Sequence, residues 1–210
     1  MYKHSKESQS NLSPETALQY LKEGNLRFVN NLRANRDLLS QVNATRDGQY
    51  PFATVLSCMD SRTSVELIFD QGLGDIFSIR IAGNVLNQDV IGSMEFGTRL
   101  AGSKIIVVLG HTQCGAIKGA CDDVSLGSLT QLLEKIKPAI DNETMTPAGS
   151  RNGKNADFVR NVTENNVRHV IKQITAQSPT IAELANSGAI KIVGGVYHLE
   201  TGAVTFFEEP

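Results

Sequence analysis

"KIIVVLGHTQCGA" (Lys104–Ala116) passes from one texture to another within a single short stretch. Its first half is apolar and rich in β-branched residues, the pattern of a strand buried on both faces of a sheet. Its second half is polar and carries His111 and Cys114, three residues apart. Two similar apolar runs lie upstream, "FATVLS" (52–57) and "DIFSIRI" (75–81). The segments between them, roughly 62–71 and 88–101, are long enough for helices. Short apolar strands alternating with helices predict βαβ units. The fold class expected is therefore α/β: a central, mostly parallel β-sheet flanked by helices.

Working outward, "SPETALQYLKEGNLRFVNNL" offers Ser13 as an N-cap and Pro14 at the first helical position. Leu18, Leu21, Phe28 and Leu32 share one face, which predicts an amphipathic N-terminal helix. Residues 33–50 show no period and suggest an irregular connection. Downstream, "SLGSLTQLLEKIKPAI" has helical spacing, 141–155 is a polar loop broken at Pro147, Gly149 and Gly153, and a long helix carries Val159, Val162, Val170 and Ile174. A shorter helix starts near Pro179. The terminal "AIKIVGGVYHLETGAVTFFE" predicts a strand pair turning at Thr201–Gly202. No repeat or linker divides the chain, so one domain over 1–210 is expected, with 1–12 as a flexible tail.

Composition narrows the function. The formal net charge is -2 with no basic block, which argues against nucleic acid as a partner. No apolar run approaches the roughly 20 residues that span a bilayer. The polar start "MYKHSKESQSNLSPE" shows no secretory signal. Three cysteines, Cys58, Cys114 and Cys121, do not make a disulfide framework and suit reduced thiols in a cytoplasm.

Two of the predicted strands run directly into reactive residues: "FATVLS" into "CMDSR" (58–62), and "KIIVVLG" into "HTQCG" (111–115). In parallel α/β sheets, ligands gather at the carboxyl ends of the strands. Cys58 and His111 would then emerge at one edge, with Cys114 one turn further on. Taken singly, H-x-x-C is a weak pattern and a buried cysteine is usually a small core hydrophobe. The matched positions after two strands favour a Cys2His site for Zn2+ with the fourth position open. Arg62 can hold the Asp60 carboxylate in a forked contact. Such a pair is either structural or a fixed proton acceptor beside the metal, and an unpaired Asp60 could itself occupy the fourth position.

The combination of "CMDSR" with "HTQCGA", whose His111 follows Arg62 by 49 residues, resembles the β-class carbonic anhydrases, with their C-x-D-x-R and H-x-x-C zinc motifs. Similarity extends through "ALQYLKEGNLRFV", "IFSIRIAGNVL", "GSMEFG" and "IVGGVYHLETGAVTFF". The resemblance implies one zinc per subunit on Cys58, His111 and Cys114, and a catalytic dyad of Asp60 and Arg62. It also implies substrate contacts from Gln49, Phe77, Phe96 and Gly115, and a homodimer or homotetramer with the active site near the subunit interface. The chain departs from some members in having no tryptophan, and Phe96 stands where some carry tyrosine. His198 suits a hairpin residue rather than a ligand, and Cys121 a buried free thiol.

The reaction implied is reversible hydration of carbon dioxide to bicarbonate and a proton by zinc-bound hydroxide. Two thiolates formally neutralise Zn2+, so activity is expected to rise into mildly alkaline pH. Two alternatives stay open: hydrolysis of carbonyl sulfide or carbon disulfide on the same scaffold, and a noncatalytic thiol redox or binding module using Cys58 and Cys114.

Overall fold

The three apolar runs form one side of a five-stranded sheet in a computed structural model that describes residues 5–207. The strands are β1 (Ala53–Ser57), β2 (Ile76–Arg80), β3 (Ile105–His111), β4 (Lys191–Tyr197) and β5 (Val204–Phe206). Their order is β2-β1-β3-β4-β5. All neighbours are parallel except β4 and β5, the expected terminal strand pair. β1 and β3 are buried along their whole length, which accounts for their unbroken apolar runs.

The ten α-helices among the described residues are α1 (Lys6–Ser10), α2 (Pro14–Val29), α3 (Leu38–Thr45), α4 (Val65–Ile68), α5 (Gln88–Glu95), α6 (Gly115–Cys121), α7 (Gly127–Glu134), α8 (Lys137–Asp141), α9 (Ala156–Gln177) and α10 (Pro179–Asn186). On one sheet face Val55, Val107 and Leu109 pack with Ala17 and Leu21 of α2 and with Phe69. On the other, Leu56, Ile106 and Val108 meet Met94, Val167, Val170 and Ile174 from α5 and α9. Helix α9 comes close to β3 at Gly110, where a Cβ would lie 2.9 Å from Val167 Cγ2. Ser13 caps α2 by accepting the Thr16 N–H, with Pro14 at the start, as the sequence suggests.

Two segments differ from expectation. Residues 5–12, assigned to a flexible tail, contain α1, and the buried Gln9 amide donates to the Pro51 and Ala101 carbonyls at 2.7 and 2.8 Å. Residues 33–50, expected to be irregular, contain α3. Asp37 caps it, and Gln41 accepts the Leu73 N–H at 3.1 Å. Both helices are fixed by polar contacts to distant backbone, which apolar periodicity does not report. No helix of the described residues is long and apolar enough to cross a membrane.

Candidate metal centre

The chain leaves β1 toward β2 on one side and leaves β3 toward β4 on the other, so the crevice between the ends of β1 and β3 is a topological switch point. Ser57 is in register with Leu109, which brings Cys58 and His111 out at nearly the same level. After a tight turn in which Gln113 adopts φ +58°, Cys114 stands at the N-cap of α6. That turn returns Cys114 to the edge where Cys58 emerges. The sulfurs of Cys58 and Cys114 are 3.9 Å apart, and the ligand atoms of Cys58, His111 and Cys114 all lie within 4.8 Å of one another. All three side chains are buried, and Cys58 and Cys114 lie among Val85, Ile117, Ile136 and Phe158.

The donor set fits a zinc ion. A disulfide requires sulfurs about 2.05 Å apart, so this pair is unbonded. Two thiolates on a tetrahedral zinc at about 2.3 Å would stand roughly 3.8 Å apart, close to the separation here. His111 Nδ1 lies 2.8 Å from the Thr112 carbonyl and must carry the hydrogen it donates there. That leaves Nε2 with a lone pair, and this buried atom has no hydrogen-bond partner. The thiols respond to one another as well. Cys58 is pulled down to about 4, first by the Cys114 S–H and against its own burial, with help from the N–H groups of Asp60 and Gly83. Cys114 is pushed upward by the same contact and by burial. A buried pair that gives up its second proton only with difficulty is relieved by a cation between the sulfurs.

Asp60 stands at the rim. Arg62 donates from Nε to Oδ1 at 2.9 Å and from Nη2 to Oδ2 at 2.7 Å, and the Arg62 N–H also reaches Oδ1 at 2.9 Å. This fork holds the Asp60 carboxyl well below the ordinary carboxylate range, against partial burial. Asp60 does not join the close ligand group, which among the described residues is limited to the two cysteines and the histidine.

Three supporting residues escaped the sequence reading. Thr63 donates to the carbonyls of Cys58 and Asp60 at 2.8 Å each. Arg80, at the end of β2, donates to the same two carbonyls at 3.2 and 2.5 Å. Thr112 ties the His111 turn to the terminal hairpin, donating to Glu200 and accepting the Leu199 N–H, both at 3.0 Å. The available signals were the position of Thr63 directly after C-x-D-x-R and that of Thr112 inside H-x-x-C; Arg80 offered none.

The expected substrate residues are not all gathered. Gly115 adjoins Cys114 at the start of α6. Gln49 is exposed and precedes β1, so the whole of that strand, about 17 Å, separates it from the Cys58 end. Phe77 and Phe96 meet edge to face at 6.1 Å in a groove with Ile79, Gln88 and Gly92, which contains none of Cys58, His111 and Cys114. His198 donates to or accepts from Thr205 across the terminal hairpin and is not a ligand. Cys121 is a free thiol as expected, though only partly buried, and burial pushes it up to about 11.

Known proteins resemble this chain over most of its length. A family model described as carbonic anhydrase matches residues 53–204. A carbonic anhydrase of Mycolicibacterium smegmatis is 35% identical over 204 residues, covering 92% of this chain and 93% of its own. Carbonic anhydrase 2 of Mycobacterium tuberculosis is 34% identical over 198 residues, covering 91% and 92%. Among solved structures, the β-carbonic anhydrase CafA of Aspergillus fumigatus superposes with a TM-score of 0.69 at 23% identity, covering 93% of this chain and 92% of that one. A structure from a study of two tetrameric β-carbonic anhydrases of Sordaria macrospora gives 0.70 at 22% identity, covering 93% and 98%.

Proposed function

The chain belongs to the β-class carbonic anhydrase family, enzymes that hydrate carbon dioxide, and from that premise we propose that Cys58, His111 and Cys114 hold one zinc ion per subunit for the reversible conversion of carbon dioxide and water to bicarbonate and a proton. The observation that carries this reading is the convergence of two thiols and an unpartnered imidazole Nε2 at the switch point. Bound there, zinc supplies Lewis acidity, lowering the pKa of a water it holds.

The chain's own residues do the rest. Asp60, kept ionised and oriented by the Arg62 fork, accepts a hydrogen bond from the attacking water and turns its lone pair toward the substrate carbon. Thr63 and Arg80 fix the backbone that carries Asp60, so the carboxylate does not swing with its loop. The first N–H groups of a helix lack intrahelical acceptors, which suits the Gly115 N–H to the developing carboxylate charge.

Gln49, Phe77 and Phe96 serve a metal centre in a second copy of the chain. The support is their separation from the cluster of their own chain, together with an unpaired edge at β2 and exposed apolar side chains at Phe96 and Leu100. The enzyme is accordingly a homo-oligomer with its active site near the subunit interface. Its two close thiols must stay reduced to take a metal, which suits the cytoplasm.

The test is zinc content and stopped-flow hydration of carbon dioxide for the wild type beside Cys58→Ala. We expect one zinc per chain and catalysis in the wild type, with both lost in the variant. Equal rates would overturn the assignment, and parallel assays with carbonyl sulfide and carbon disulfide fix the substrate.

A further inference from the structure

The Cys58 sulfur accepts a hydrogen bond from the Gly83 N–H at 3.4 Å. Gly83 lies in a short 3-10 turn, Ala82–Asn84, with φ +65°, a conformation that favours glycine. A Cβ there would also come within 3.0 Å of Ile136 Cδ1 and 3.2 Å of Ala116 Cβ. The other end of the same residue is held from far along the chain: Asn166, in the middle of α9, donates from Nδ2 to the Gly83 carbonyl at 2.9 Å.

Asn166 is 1% exposed and flanked by the buried Val162, Val167 and Val170. Its Oδ1 has no hydrogen-bond partner. A side chain needed only to fill this space would be better apolar, because a half-satisfied buried amide is costly. Reversing the amide would set Oδ1 against the Gly83 carbonyl, acceptor against acceptor, so the geometry fixes Asn166 as a donor. What it holds is a residue from outside the 58–60 loop whose N–H reaches the Cys58 sulfur.

We propose that Asn166 is a positioning residue of the metal centre: by pinning the Gly83 carbonyl it aims the Gly83 N–H at Cys58 Sγ, and so sets how much charge that sulfur gives the metal. The inference rests on the reading of Cys58 as a zinc ligand. A thiolate that accepts an N–H donates less strongly to its metal, and partners of this kind orient the ligand. Loss of the Asn166 donor frees Gly83, leaves the sulfur richer in electrons and loosens its direction.

Asn166→Ala removes the donor, and Asn166→Leu removes it while keeping the volume. Asn165→Ala is the control, since that neighbour's Nδ2 donates to the Ala139 carbonyl at 3.3 Å and has no route to Cys58. Chelator competition should show zinc held about 10-fold more weakly in both Asn166 variants, because the lost orientation of the sulfur outweighs its stronger donation. With cobalt substituted, their thiolate-to-metal absorption should move to longer wavelength, while Asn165→Ala matches the wild type. Wild-type affinity and absorption in the Asn166 variants would overturn the proposal alone. A wild type that binds no metal would overturn the ligand reading and this proposal with it. A further measurement needs no variant: in wild-type protein loaded with an NMR-active cadmium isotope, the Gly83 amide proton should couple to the metal through sulfur. Absence of that coupling would refute the first link.

Discussion

Asp60 and Asp70 lie ten residues apart and both meet arginine, but the two pairings differ in burial and in where the partners come from. Asp60 is bound by a near neighbour, Arg62, whose side chain is 54% exposed. The contact is a two-pronged fork at the mouth of the crevice, and the carboxylate keeps some access to solvent. Asp70 is sealed, with a side chain 2% exposed and φ +45°. It accepts Arg27 Nε at 2.5 Å, Arg36 Nη1, and the Ala34 N–H at 3.2 Å, all brought from the N-terminal segment. Burial alone would push the Asp70 carboxyl up, but these donors outweigh it and hold it below its ordinary value. The Arg62 contact thus presents a charge for use, and the contacts of Arg27 and Arg36 with Asp70 close the structure. A low carboxyl pKa marks both and distinguishes neither; access does.

Substitution should separate the two roles. Asp60→Asn removes the acceptor and should lower kcat/KM about 100- to 10,000-fold, the range for a positioned proton acceptor, with the urea midpoint nearly unchanged. Asp70→Asn should do the reverse. Breaking a buried pair costs about 3–5 kcal/mol, and the partly exposed Arg27 places this case near the lower end. The unfolding free energy should fall by about 3 kcal/mol while zinc-loaded protein turns over at the wild-type rate. A large rate loss in Asp70→Asn would break the distinction. Between these extremes, Arg62→Lys keeps the charge but loses the fork, and about a 10-fold drop in kcat/KM is expected. No drop would mean that charge, not geometry, is what Asp60 needs.

The same contrast explains what could be read from the chain. Strands β1 and β3 were legible because burial on both faces removes polar residues from them, and the cluster of Cys58, His111 and Cys114 because each follows such a strand or its turn. Asp60 and Arg62 were legible because their contact is local. Asp70 was not: its partners Arg27 and Arg36 lie 43 and 34 residues away, and nothing local joins them. Helix α3 escaped because Leu38, Leu39 and Val42 are exposed, so it has no apolar stripe facing the core. Asn166 looked like one more polar residue on a helix, since only the approach of Gly83 gives it a task. Gln49, Phe77 and Phe96 came from resemblance, which carries residue types but no distances within one chain.

The smallest effect tests the Asp70 pairing by proton linkage. Its folded pKa lies below the unfolded value of about 3.9, so its contribution is fully present above that pH and is lost as pH falls through the folded value. Wild type and Asp70→Asn should therefore differ by a constant free energy from about pH 8 to about pH 5. Below about pH 4 the gap should narrow, at no more than about 1.4 kcal/mol per pH unit. Acid also protonates the cysteines and releases metal, but it does so in both proteins, so the difference still reports Asp70. The paired measurement is urea unfolding of the two proteins across that range. A gap that widens as the pH falls would mean Asp70 binds its proton more readily folded than unfolded, and the sealed arginine contacts would then not be what holds it.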